Sequence, residues 1–290
     1  MPAQVRTLDP GLVPILKELR LPGILAGLLV GATAAAALLW RTRSRAWRGW
    51  TLVWARTLAR MWTAVGPWRV AGTWAAAFLL GTALFLPGMA LVQVPLLQAV
   101  SRWQAGLLPD ADPLVLSILP VLLSGLVHEP VKLAGVVAAL RLSSWLDACR
   151  TSLSPGRGPV LGTLVGAGYA AMQAAWLLSV AFSTISTHRQ LGLLSLAVPV
   201  WERVTAAFYH AGSAAVLAWA WTRSPAAALT ILGISVGLHA LLSYTQVLVG
   251  AGTIGLWLPE VLATLLAFGL VGYSLAVVRP GFSPPAAGAS

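Results

Sequence analysis

Apolar runs of roughly 20 residues, separated by short polar segments, recur along the whole chain and predict membrane-crossing helices. The first covers Leu21–Trp40, the second Val70–Val94, and the third runs from Pro120, with proline suited to a first turn, to Leu140. Four more follow: Val160–Phe182, Arg203–Trp221, Ala226–Val249 and Ile254–Val278. The fold class expected is all-α: a polytopic bundle of about seven transmembrane helices forming one domain over 21–278. A polar or interfacial segment, 1–20, precedes it, and a Pro-, Gly-, Ala- and Ser-rich tail, 279–290, is expected to be disordered. Between the first two spans, Trp47, Trp50, Trp54 and Met61 fall near one helical face, with Arg43, Arg56 and Arg60 among the polar positions. That pattern predicts a short amphipathic helix over 41–62 on an anionic lipid surface at the cytoplasmic side.

Composition agrees with this pattern. The 290 residues are 58% hydrophobic and 9% charged, against about 25% charged in soluble domains. Net charge is +11, but the basic residues sit in short segments between apolar runs. They therefore read as topology determinants and not as a nucleic-acid surface. With the amino terminus outside, Arg41, Arg43, Arg45, Arg48, Arg56, Arg60, Arg69, Arg141, Arg150, Arg157, Arg223 and Arg279 lie inside. Arg6, Lys17, Arg20, Arg102, Arg189 and Arg203 lie outside, so the bias is twelve against six. This predicts a multi-pass protein of the cell membrane with its carboxyl terminus in the cytoplasm. The single cysteine, Cys149, permits no internal disulfide.

Ionisable groups inside hydrocarbon are costly and mark function. The third span carries His128, Glu129 and Lys132, the fourth Tyr169 and Gln173, the fifth Arg203 and His210, and the sixth His239 and Ser243. At 1.5 Å per residue, Glu129 lies roughly 13 Å from the outer end of its span, and Gln173, His210 and His239 roughly 10–15 Å from theirs. Four residues on four helices are therefore expected at a common depth, where they could meet in one layer. Lys132 is three residues from Glu129 and four from His128, within reach of either. Pro130 frees the carbonyl of Leu126. Glu260, near the outer end of the last span, is expected to reach water.

Two segments, WERVTAAFYHAGSAAVLAWAW (201–221) and LGISVGLHALLSY (232–244), resemble the paired last motifs of the YhfC-type membrane peptidases. These are similar to PrsW and to the wider superfamily of CAAX-processing glutamic intramembrane proteases. In that pattern, E-R-x-x-A-x-x-x-H matches Glu202, Arg203, Ala206 and His210, and H-A-L matches His239, Ala240 and Leu241. E-E-x-x-[KR] corresponds to HEPVK (128–132), and G-x-G-H-G-G-x-E-A to GAGYAAMQA (166–174). The resemblance spans a core of about 120–245. It implies peptide-bond hydrolysis within the bilayer, with Glu129 as general base and His210 and His239 as assisting groups. His128, Lys132, Tyr169, Gln173, Arg203 and Ser243 would support them. A membrane protein or a lipidated peptide would be substrate or partner.

The chain departs from the pattern at His128, Tyr169, Gln173 and Ser243, where the family has Glu, His, Glu and Asp or Asn. Glutamine cannot act as a base, so a catalytically inactive, protease-like scaffold stands as the alternative. The superfamily includes such a scaffold, in gamma-secretase. No cofactor is required by either reading. His128, Glu129, His210 and His239 would also make a four-ligand zinc site, although Lys132 stands where an HExxH motif has its second histidine. A transporter is a further alternative, without a recognisable inverted repeat.

Overall fold

The computed structural model describes residues 21–40, 67–146, 157–187 and 193–277. The expected segment 1–20, the surface helix over 41–62 and the tail 279–290 lie outside the described residues. Among the described residues the chain is helical apart from the short connections 108–112, 224 and 251–256, and contains no strand. In order come α1 (Leu21–Trp40), α2 (Pro67–Pro87), a π-helical segment (Gly88–Gln93), α3 (Val94–Leu107) and α4 (Pro113–Leu146). Then follow α5 (Arg157–Thr187), α6 (Leu193–Arg223), α7 (Pro225–Gly250) and α8 (Trp257–Val277).

Among the described residues, five stretches are long and apolar enough to cross a membrane: Ala71–Leu107, Pro113–Trp145, Arg157–Ser179, Pro225–Gly250 and Trp257–Ser274. The protein is thus a multi-pass membrane helical bundle. In α1 the apolar stretch is the shorter Gly23–Ala35. Helix α6 is long but less apolar, and its position explains why. It packs against α5, α8, α7, α1 and α4, and Ala207, Ala211, Ala214, Ala215, Ala218 and Ala220 are all fully buried. A helix enclosed by other helices meets little lipid, so close packing by small residues replaces high hydropathy. Helix α5 is the other inner member; every residue from Gly158 to Ala171 is buried.

Several helices outrun the expected spans. Arg102 and Arg141, expected in loops, lie within α3 and α4; α6 begins ten residues before Arg203. The apolar run marks only the part of a helix that lipid can surround, and backbone hydrogen bonding carries the helix past it. Helix α4 has 34 residues, about 51 Å, against a hydrocarbon core of about 30 Å. Pro120, expected to open the third span, sits inside α4. Its missing N–H leaves the Leu116 carbonyl free, and the side-chain amide of Gln104 donates to that oxygen at 2.8 Å. Pro95 lacks an N–H, and the Val94 N–H donates five residues back, to the Met89 carbonyl.

Two close approaches set the helices that carry the histidines. A side-chain carbon on Gly166 of α5 would stand 2.7 Å from the carbonyl carbon of His210 on α6. On Gly125 of α4 it would stand 2.7 Å from the Val236 carbonyl oxygen of α7. Only glycine permits backbones this near.

Candidate functional site

The expected layer forms. Glu129 (α4), Gln173 (α5), His210 (α6) and His239 (α7) come together around Lys132. The Lys132 ammonium lies 2.7 Å from Glu129 Oε2 and donates to Ser213 Oγ at 2.7 Å. It is also 3.1 Å from His210 Nδ1. The other Glu129 oxygen, Oε1, is 2.9 Å from His239 Nδ1. His210 Nε2 lies 2.8 Å from Gln173 Oε1. Glu129 and Lys132 have no solvent-exposed surface. Of the two partners within reach of Lys132, the fold selects Glu129, one turn away, because His128 is turned elsewhere.

His128 Nδ1 is 2.5 Å from the Tyr169 hydroxyl, and the imidazole stacks on His239 with centroids 5.0 Å apart. Phe85 closes this side, edge-on to Tyr169 at 5.2 Å and next to the π-helical segment through Met89. His128 and Tyr169 thus satisfy each other in an apolar pocket, and His128 supports the stack instead of joining the Glu129 cluster.

A cavity of about 120 Å³ reaches the cluster from one end of the bundle. Gln173, Tyr209, His210 and His239 line its inner part, and Leu242 and Ser243 line its wall. Glu202, Arg203 and Gln246 line the other end, roughly 11–12 Å away by the rise along α6 and α7. The Glu202 side chain is 32% exposed against 3% for His210, so the cavity opens at that end. Exposed Trp201 and Trp257 flank the same end, where aromatic residues mark the membrane–water boundary. Neither Glu129 nor Lys132 lines the cavity.

Arg203 pairs with Glu202 and belongs to this opening, not to the Glu129 cluster. Glu260 was expected to reach water, but it is 3% exposed. It interacts with Gln246, Glu202 and Arg203, because α8 begins against the end of α7 and covers it. His188 and Arg189 lie outside the described residues.

Two members were missed in the sequence. Ser213, third partner of Lys132, is one turn beyond His210, a signal that was present in the spacing. Tyr209 places its ring 5.4 Å under the Lys132 ammonium, and its hydroxyl donates to the Ser235 carbonyl at 3.1 Å. Nothing in the spacing marks Tyr209, which is adjacent to His210 and so on a different face.

Glu129, His210 and His239 each offer one ligand atom, all within 4.8 Å of one another. The ammonium of Lys132 already bonds two of these residues, so a metal ion on this set requires it to move away. His128, the fourth member of the zinc set read from the sequence, is outside this group.

Comparison of the chain with protein-family models, curated proteins and solved structures gives no match. Its site is therefore described by its own chemistry: a multi-pass membrane helical bundle that buries a carboxylate, an ammonium and two histidines at the inner end of a cavity.

Proposed function

We propose that this protein is an intramembrane endopeptidase of glutamic type, hydrolysing a peptide bond of a membrane protein or lipidated peptide. One observation carries the reading. The Glu129 carboxylate is bonded to His239 Nδ1 at 2.9 Å, and His239 and His210 face a cavity that opens near the exposed tryptophans. Hydrolysis in a bilayer requires a water route to a buried base, and a 120 Å³ cavity holds several waters. The resemblance to YhfC-type and PrsW peptidases supports the same reading. Departures from that pattern are bonded in place: His128 to Tyr169 and Gln173 to His210. The reading includes seven crossings, the amino terminus outside, and residence in the cell membrane.

One observation favours the inactive scaffold instead. Both oxygens of Glu129 are engaged, by Lys132 and His239, and the carboxylate does not line the cavity. The deciding experiment is proteolysis in liposomes, wild type beside Glu129→Gln, against single-span and prenylated peptides. Cleavage by the wild type that disappears in the variant supports the peptidase. Absence of cleavage across the panel, with both proteins folded, favours the scaffold.

A further inference from the structure

The geometry points to two neutral histidines held in opposite tautomers, with His239 Nε2 as the proton acceptor facing the cavity and Glu129 as the positioning residue behind it. This rests on the hydrolytic part of that reading for its chemistry, with His239 and not Glu129 taking the proton of water, but not for its structural content.

A lysine ammonium donates hydrogen bonds and accepts none. Lys132 is ion-paired with Glu129 Oε2 at 2.7 Å and lies 2.7 and 3.1 Å from Ser213 Oγ and His210 Nδ1. His210 Nδ1 is therefore the lone-pair nitrogen, and the ring proton sits on Nε2. That N–H donates to Gln173 Oε1 at 2.8 Å. The glutamine oxygen is thereby used, and its amide N–H groups remain for the cavity that Gln173 lines.

His239 is wired the other way. Its Nδ1 is 2.9 Å from Glu129 Oε1, and an ionised carboxylate only accepts, so the proton sits on Nδ1. A second proton on this ring would add an uncompensated charge to a buried, neutral Glu129–Lys132 pair, at high cost. Nε2 thus keeps its lone pair. His239 lines the cavity and Glu129 does not, so the ring stands between carboxylate and water. The base that water meets is the imidazole. Carboxylate-oriented histidines act this way on unrelated folds.

The proton accounting closes. His239 Nε2 takes a proton from water as its oxygen bonds to the peptide carbonyl carbon. The Gln173 amide donates to the resulting oxyanion. The Nε2 proton then passes to the leaving nitrogen as the C–N bond breaks, and the neutral imidazole is restored. Glu129 stabilises the imidazolium in between without taking its proton.

The test is 15N-histidine NMR of the full chain in nanodiscs, with the four histidines assigned by single His→Gln substitutions. The expected result is Nδ1–H for His239 and Nε2–H for His210. Glu129→Gln is expected to mix or reverse the His239 tautomer, and Glu129→Asp to restore it; Lys132→Met is expected to mix the His210 tautomer and, by leaving the Glu129 carboxylate with His239 as its remaining partner, to favour a second proton on His239 without moving the first from Nδ1. Simple loss of packing would not produce this residue-by-residue pattern. His239 found as Nε2–H, or unmoved by Glu129→Gln, overturns the inference. In the peptide assay, kcat should fall roughly 10³–10⁴-fold in Glu129→Gln, the scale for an amide replacing an orienting carboxylate. Correct tautomers without cleavage sink the hydrolytic reading alone. Glu129-dependent cleavage with the wrong tautomers sinks this inference alone.

Discussion

Replacing Lys132 by methionine removes one charge from the centre of the bundle while keeping most of the side chain's volume. The ammonium makes contacts of 2.7, 2.7 and 3.1 Å with Glu129, Ser213 and His210. Their losses are unequal. Ser213 keeps a bond to the His210 carbonyl at 3.2 Å, so it is not stranded. Glu129 keeps only its bond to His239, and its carboxylate, without exposed surface, becomes an unpaired buried charge. Breaking a buried pair from one side costs about 3–5 kcal/mol. Replacing both members by apolar residues of similar size is often neutral or stabilising. Lys132→Met should therefore lose about 3–5 kcal/mol, and Glu129→Leu/Lys132→Met should recover most of it. The assay is reversible unfolding in mixed micelles, followed by helical circular dichroism, with all four corners of the double-mutant cycle measured. Lys132→Met within about 1 kcal/mol of wild type, or a double variant as unstable as the sum of the singles, would refute the ion pair as the centre of the site.

Other outcomes follow from single contacts. Gly166→Leu should force α5 from α6, because even its first side-chain carbon would meet the His210 backbone at 2.7 Å; loss of folded yield is the readout, and a folded, fully stable variant would contradict the packing. Tyr169→Phe removes the partner of His128 Nδ1 and should cost about 1–3 kcal/mol in the same unfolding assay. Ser224→Ala removes the side-chain cap that accepts from the Ala227 N–H at 3.1 Å, with an expected loss of about 1 kcal/mol. Gln104→Leu strands the Leu116 carbonyl that Pro120 leaves free and should raise hydrogen exchange locally around residues 113–120, leaving the Glu129 cluster protected.

The sequence by itself determined the class and the depth. Long apolar runs with few charges have no stable home but a bilayer, and there only closed hydrogen-bonded elements survive, here helices. A fixed rise of 1.5 Å per residue gave Glu129, Gln173, His210 and His239 similar depths, which allowed one layer; their contacts come from the fold. The ends of the helices were less legible, since lipid compatibility stops before helicity does, as Arg102 and Arg141 show. What only the tertiary structure decided is how each helix is rotated and how near it stands to the next. That depends on small residues such as Gly125 and Gly166 meeting a particular neighbouring backbone, information held in pairs of segments and in neither alone. The rotation turns His128 to Tyr169 and leaves Lys132 to Glu129. It also sends Arg203 to the cavity's opening and sets His239, not Glu129, against the space where water can enter.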